Sequence, residues 1–228
     1  MDHKIYMRRC LELAKLGKGN TIPNPLVGAV IVYNDKVIGE GYHRKYGESH
    51  AEVNAINNVK DKTLLKKSTL YVNLEPCIHY GKTPPCSIKI IEENIPEVII
   101  GTLDPNPLVN GKGIEFLKNN NIKVNYNIIQ KECIELNRRF FTYHLKKRPY
   151  IILKWAQTKD NFIDLSDRLP EKPFVWISNE LLKTLVHKWR SEEQAILIGS
   201  KTAIKDNPEL TTRNWPGKSP IRLVINRN

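Results

Sequence analysis

LVGAVIVYNDKVIGEGYH, from Leu26 to His43, sets two apolar and β-branched runs on either side of Asn34-Asp35. Asn and Asp tolerate tight turns, so the stretch predicts two strands, 26–33 and 36–43, joined as a hairpin. Outward from the hairpin the periodicity changes. Residues 3–17 carry a helical pattern that ends at Gly17, and 50–59 carry a second one. Further along, strands are expected at 68–74, 97–103 and 122–129, and helices at 87–94, 113–120 and 131–145. Strands alternating with helices imply a three-layer α/β sheet.

The pattern restarts after KKRPY, residues 146–150. A strand is expected at 150–156, then an irregular polar stretch, then FVWIS at 174–178. A helix at 180–190, the strand AILIG and a closing strand IRLVIN follow. The first sheet is complete by then, which places two domains at 1–146 and 147–228. There is no internal repeat.

At 228 residues, 40% hydrophobic and 26% charged, the composition is that of a globular protein able to bury a sizeable core. The longest apolar runs are far too short to span a bilayer, so no membrane partner is expected. MDHKIYMRRC has neither an apolar core nor a cleavage site, which implies a cytoplasmic address. The net charge of +12 comes from lysines scattered along the chain with few aromatics among them. That reads as a solvated surface or attraction for a small anionic substrate, and no nucleic-acid partner is expected.

Four cysteines are too few and too scattered for a disulfide framework. Cys10 and Cys133 sit in helical patterns and read as half-buried apolar residues, and His3 and His144 read as surface residues. Cys77 and Cys86 differ, because both lie in a turn-rich segment, EPCIHYGKTPPC, beside prolines. Upstream stands HAEVNA, with His50 opening a helix and Glu52 two residues later. One imidazole and two thiolates suit zinc rather than magnesium or calcium, and three protein ligands leave a fourth position for water. Glu52 can then point into the site without binding the metal and carry a proton from water to a leaving amine. A closed zinc knuckle would need a fourth ligand, for which His79 is the nearby candidate.

H-x-E followed by P-C is the pattern of zinc-dependent nucleobase deaminases, and the chain resembles them. In nucleoside and polynucleotide deaminases the two cysteines stand two residues apart, whereas eight residues separate Cys77 from Cys86. With NPLVGAV (24–30) and DPNPLVNGKG (104–113), this spacing resembles the bifunctional riboflavin-biosynthesis deaminase–reductase family. The resemblance runs the length of the chain. It implies a cytidine-deaminase-like domain followed by a partial dihydrofolate-reductase-like α/β domain. It also implies hydrolytic deamination of 2,5-diamino-6-ribosylamino-4(3H)-pyrimidinone 5′-phosphate, followed by NADPH reduction of its ribose. By resemblance, Asn24, His43, His79 and Lys82 hold the pyrimidine and its ribose phosphate, with Asn106 close by. Asn24 and Asn106 precede prolines and also suit turns. Self-association is expected on the same ground.

The second half is similar to the family's reductase domain in LKWAQTKD, WIS, HKWR and ILIGSKTAIKDNPELTTR. The resemblance places NADPH contacts on Ala156, Trp176, Thr202 and Asp206, and substrate contacts on Arg190, Leu210 and Arg213. Trp176 and Leu210 equally suit a core. Thr158-Lys159-Asp160-Asn161 replaces the family's Ser-Leu-Asp-Gly, and Phe174 stands where a small polar residue is usual. The family's later glycine-rich segment does not occur in these residues, so an incomplete NADPH site is expected. Two other classes remain: a nucleoside or tRNA deaminase, and a non-catalytic zinc-stabilised binding module, which would have no use for Glu52.

Overall fold

The computed structural model describes residues 2–165 and 176–226, so Phe174 and the start of FVWIS lie outside the described residues. The chain folds as two compact units, Met1–Tyr150 and Ile151–Asn228.

The first unit is built on the hairpin, β1 (Gly28–Tyr33) and β2 (Lys36–Tyr42), closed by Asn34 and Asp35 in the left-handed region. β1 also pairs antiparallel with β3 (Thr69–Val72). β3, β4 (Glu97–Ile100) and β5 (Lys123–Asn125) run parallel, giving the order β2-β1-β3-β4-β5.

Side-chain alternation along these strands separates two cores. Ala29, Ile31, Leu70, Val72, Val98 and Ile100 face one side. There they meet α2 (Ala51–Asn57), α3 (Cys86–Glu92) and α4 (Lys112–Asn119). Val30, Val32, Tyr71 and Ile99 face the other side. Their partners are α1 (His3–Lys15) and α5 (Gln130–Leu136). Helix, sheet and helix form the three layers. Cys10 and Cys133 are fully buried in this second core, deeper than their patterns suggested. Glycines let the helices lie against the sheet: a Cβ on Gly28 would stand 2.1 Å from the Cys10 carbonyl oxygen. One on Gly41 would stand 2.3 Å from the Ala55 nitrogen.

Two expectations need correction. The helix expected over 131–145 is two helices, α5 and α6 (Arg138–Lys146), broken at Asn137. Its buried side chain accepts from the Leu26 N–H at 2.8 Å and donates to the Leu26 carbonyl at 2.9 Å. Satisfying the backbone ahead of β1 outweighs continuity of a helix. The strand expected over 150–156 does not form among the described residues: Ile151, Ile152, Leu153 and Trp155 are exposed and join no ladder there. Apolar, β-branched sequence makes a strand only where a neighbour offers backbone partners.

In the second unit, α7 (Glu180–Glu192) precedes β6 (Ala195–Gly199), α8 (Ser200–Asp206) and β7 (Ile221–Ile225). β6 and β7 pair in parallel. Among the described residues no helix is long and apolar enough to cross a membrane.

Candidate metal centre

Three elements of the first unit meet beyond the end of β3. His50 is the residue before α2, Cys77 lies in the loop after β3, and Cys86 opens α3 behind Pro85. The His50 Nδ1 stands 3.6 Å from the Cys77 Sγ and 3.3 Å from the Cys86 Sγ. All three donor atoms lie within 4.8 Å of one another. A tetrahedral zinc with bonds of ~2.3 Å to sulfur and ~2.0–2.1 Å to nitrogen has N–S edges of about 3.6 Å. The imidazole nitrogen is therefore already close to zinc spacing from both sulfurs. The Cys86 N–H donates to the Cys77 sulfur at 3.4 Å, and the Ser87 hydroxyl donates to the Cys77 carbonyl at 2.9 Å.

The electrostatics suit a dication. A hydrogen bond from Cys86 draws the Cys77 thiol down to about 4, with burial opposing. The same contact, joined by burial, holds the proton of Cys86 well above the usual thiol range. The pocket thus carries one thiolate readily and a second only with a positive charge beside it. The bond to Cys77 also raises His50 against the effect of burial.

Glu52 lies in the first turn of α2 and is 3% exposed. Its Oε2 is buried with no hydrogen-bond partner, and burial raises its pKa. An orphaned carboxylate oxygen beside three metal-type donors is an arrangement that a purely structural cluster has no reason to keep.

Of the other residues singled out in the first half, Asn24 and His43 are joined to each other and, through the His43 ring, to His50. His43 is buried, its ring edge-on to His50 at 5.1 Å, and burial lowers its pKa. Its Nδ1 donates to the Ser49 carbonyl at 3.2 Å, which leaves Nε2 to accept from the Asn24 amide at 3.1 Å. Asn106 shapes its own turn, its Oδ1 accepting from the Leu108 N–H. His79 and Lys82 are exposed on the loop between the cysteines, with the Lys82 ammonium 4.3 Å over the Tyr46 ring.

Two buried acids escaped the sequence reading. Glu75, just ahead of Pro76-Cys77, accepts four backbone hydrogen bonds. Asp104 is pushed up to about 7, chiefly by burial and also by the Glu75 charge. A signal was present in both: an acid directly after an apolar strand and before a proline.

In the second unit, Trp176, Arg190 and Arg213 line one pocket together with Lys154, Lys183 and His187. The Arg190 guanidinium donates to the Thr211 carbonyl at 3.0 Å, while its buried Nε has no partner among the described residues. The Arg213 N–H donates to the His187 Nδ1 at 3.2 Å. Thr202 and Asp206 lie on α8, and neither they nor Ala156 nor Leu210 lines that pocket. Leu210 is buried with φ at 56°.

Residues 1–102 match the cytidine and deoxycytidylate deaminase zinc-binding region, and 149–228 match the RibD C-terminal domain. The chain is 47% identical over 223 residues to the riboflavin biosynthesis protein RibD of Aquifex aeolicus, covering 97% of this chain. It is also 51% identical over 141 residues to the diaminohydroxyphosphoribosylamino-pyrimidine deaminase of Buchnera aphidicola subsp. Schizaphis graminum. That match covers 62% of this chain and 95% of the relative. The chain belongs to the riboflavin-biosynthesis deaminase–reductase family. It spans 61% of the length of the Aquifex family member. A Thermotoga maritima family structure, described as a diaminohydroxyphosphoribosylaminopyrimidine deaminase/5-amino-6-(5-phosphoribosylamino)uracil reductase, superposes with a TM-score of 0.89. It is 42% identical, covering 99% of this chain and 63% of that one. In this family the deaminase region binds zinc and the C-terminal domain binds NADPH.

Proposed function

We propose that this chain is a zinc-dependent hydrolase that deaminates a ribosylaminopyrimidine 5′-phosphate, with the deaminase in residues 1–146 and reductase residues in 147–228. The observation that carries the reading is the His50 Nδ1 within reach of both cysteine sulfurs, with the Glu52 Oε2 buried and unpartnered among the described residues. His50, Cys77 and Cys86 hold the zinc. When bound, zinc supplies a Lewis acid that lowers the pKa of water towards neutrality. Glu52 takes a proton from the attacking water at Oε2 and returns it to the departing amine. The C–O bond forms first, making the ring carbon tetrahedral; once the amine has gained its proton the C–N bond breaks, and ammonia leaves. Glu52 is buried, which raises its pKa, and a side chain that can accept and then release a proton is what this step needs.

Asn24, His43, His79 and Lys82 hold the pyrimidine and its ribose phosphate, with Asn106 close by. In the second unit Arg190, Leu210 and Arg213 contact the substrate, with the two arginines suited to its phosphate. Ala156, Trp176, Thr202 and Asp206 serve NADPH. That Arg190 and Arg213 line one pocket supports a phosphate there. A cytoplasmic address and self-association belong to the same reading. They rest on the four free cysteines and on family resemblance.

A nucleoside or tRNA deaminase fits less well, because the loop between Cys77 and Cys86 is long. A binding module leaves Glu52 buried without a role. Ammonia release from the ribosylaminopyrimidine phosphate, cytidine and an adenosine-bearing RNA tests the choice. The phosphate should be the fastest by orders of magnitude. Faster release from either of the others would replace this reading.

A further inference from the structure

Glu75 is 3% exposed and belongs neither to the donor cluster nor to the residues assigned to substrate. Its two oxygens accept from four backbone N–H groups on a distant stretch of chain. Oε2 takes those of Asp104 at 3.1 Å and Gly111 at 2.9 Å. Oε1 takes those of Gly113 at 2.9 Å and Ile114 at 3.3 Å. The Glu75 N–H in turn donates to the Thr102 carbonyl at 3.0 Å. A buried carboxylate filled by backbone amides is an anion in a nest, and only a full negative charge satisfies four donors at once.

The neighbours of this nest are functional. Two residues beyond Glu75 stands Cys77. At the far end, the Asp104 Oδ1 accepts the Asn106 N–H at 2.7 Å, so the nest fixes the turn that presents Asn106. Gly113 has no room for a side chain: a Cβ there would stand 2.4 Å from the Pro76 oxygen and 3.1 Å from the Glu75 Oε1. Pro76, Glu75 and Gly113 are therefore packed backbone to carboxylate.

We propose that Glu75 is a positioning residue for deamination, clamping the loop that carries Cys77 to the loop that carries Asn106. The inference rests on reading Cys77 as a metal ligand and Asn106 as a substrate contact. Metal and substrate are thereby held in one frame, and release of the clamp lets the substrate loop drift while the metal stays.

The test combines amide hydrogen exchange with kinetics on the whole chain. In the unsubstituted protein the Asp104 and Gly111 amides, which lie outside any strand, exchange as slowly as those of β4. Fast exchange at both would overturn the proposal without any variant. In Glu75→Gln the amide group puts N–H against N–H on one side of the nest. Exchange at Gly111 and Gly113 then rises while β4 is unchanged, and zinc remains at the unsubstituted stoichiometry. kcat/KM falls on the order of 10²-fold, the cost of a misplacement near 1 Å, with the larger share in KM. Unchanged exchange, or faster exchange with unchanged KM, would overturn the clamp. Should Glu75→Gln fail to fold, the exchange rates of the unsubstituted chain decide alone. Asn106→Ala separates the two ideas. Unchanged KM there, with Glu75→Gln still raising KM, removes Asn106 from the substrate site and leaves the clamp standing.

Discussion

Replacing Glu52 by Gln tests the proton-transfer role with the least structural disturbance. The amide is isosteric, the site is 3% exposed, and the Oε2 position has no partner to lose. General acid–base transfer contributes ~10²–10⁴-fold, so the barrier should rise by about 3–5 kcal/mol and turnover fall by that factor. Stability should not fall with it. Glu52 is buried at a desolvation cost, and an amide carries no charge to desolvate. The unfolding free energy from urea titration should thus stay within about 1 kcal/mol of the parent or rise. Zinc content should be unchanged, since Glu52 is outside the donor cluster. The assay is ammonia release from the phosphorylated pyrimidine, alongside metal analysis and urea unfolding on the same preparation. Turnover within tenfold of the parent, or turnover lost only together with zinc, would refute the reasoning.

Other perturbations probe the frame around that site. Cys86→Ser should lose most of the zinc, because the 3.3 Å S–N approach to His50 is one edge of the donor triangle. Metal analysis showing one zinc per chain would count against that ligand. Gly41→Ala forces a Cβ to 2.3 Å from the Ala55 nitrogen, pushing α2 off the sheet. It should cost ~1–3 kcal/mol of stability and weaken zinc binding through His50, checked by unfolding and competitive chelation. Asp104 holds its proton up to about 7, whereas the unfolded chain loses it near the ordinary value of 3.8. Stability of the chelated protein should therefore fall as pH rises between those values, by up to about 4 kcal/mol. Asp104→Asn should flatten that slope in urea titrations across the window.

Much of the first unit was legible because its signals are local. The hairpin follows from Asn34-Asp35, and the two cores follow from strict alternation at Ala29, Val30, Ile31 and Val32. Gly28 and Gly41 were visible in the sequence, but their purpose, a helix backbone within contact distance, was not. What escaped depends on partners remote in sequence. Asn137 breaks a helix to reach Leu26, 111 residues away, and no periodicity marks such a bond. Residues 150–156 have the composition of a strand but find no ladder among the described residues. At the site, residue types announced the donors. They did not say that Nδ1 of His50, not Nε2, faces both sulfurs, or that Glu75 holds two loops together.

The central claim, that zinc at His50, Cys77 and Cys86 drives the deamination, is tested most directly by adding zinc back to the chelated chain. Ammonia release from the ribosylaminopyrimidine phosphate should rise linearly to one equivalent per chain and then level off. Full activity in the chelated chain, or a plateau at any other ratio, would contradict it.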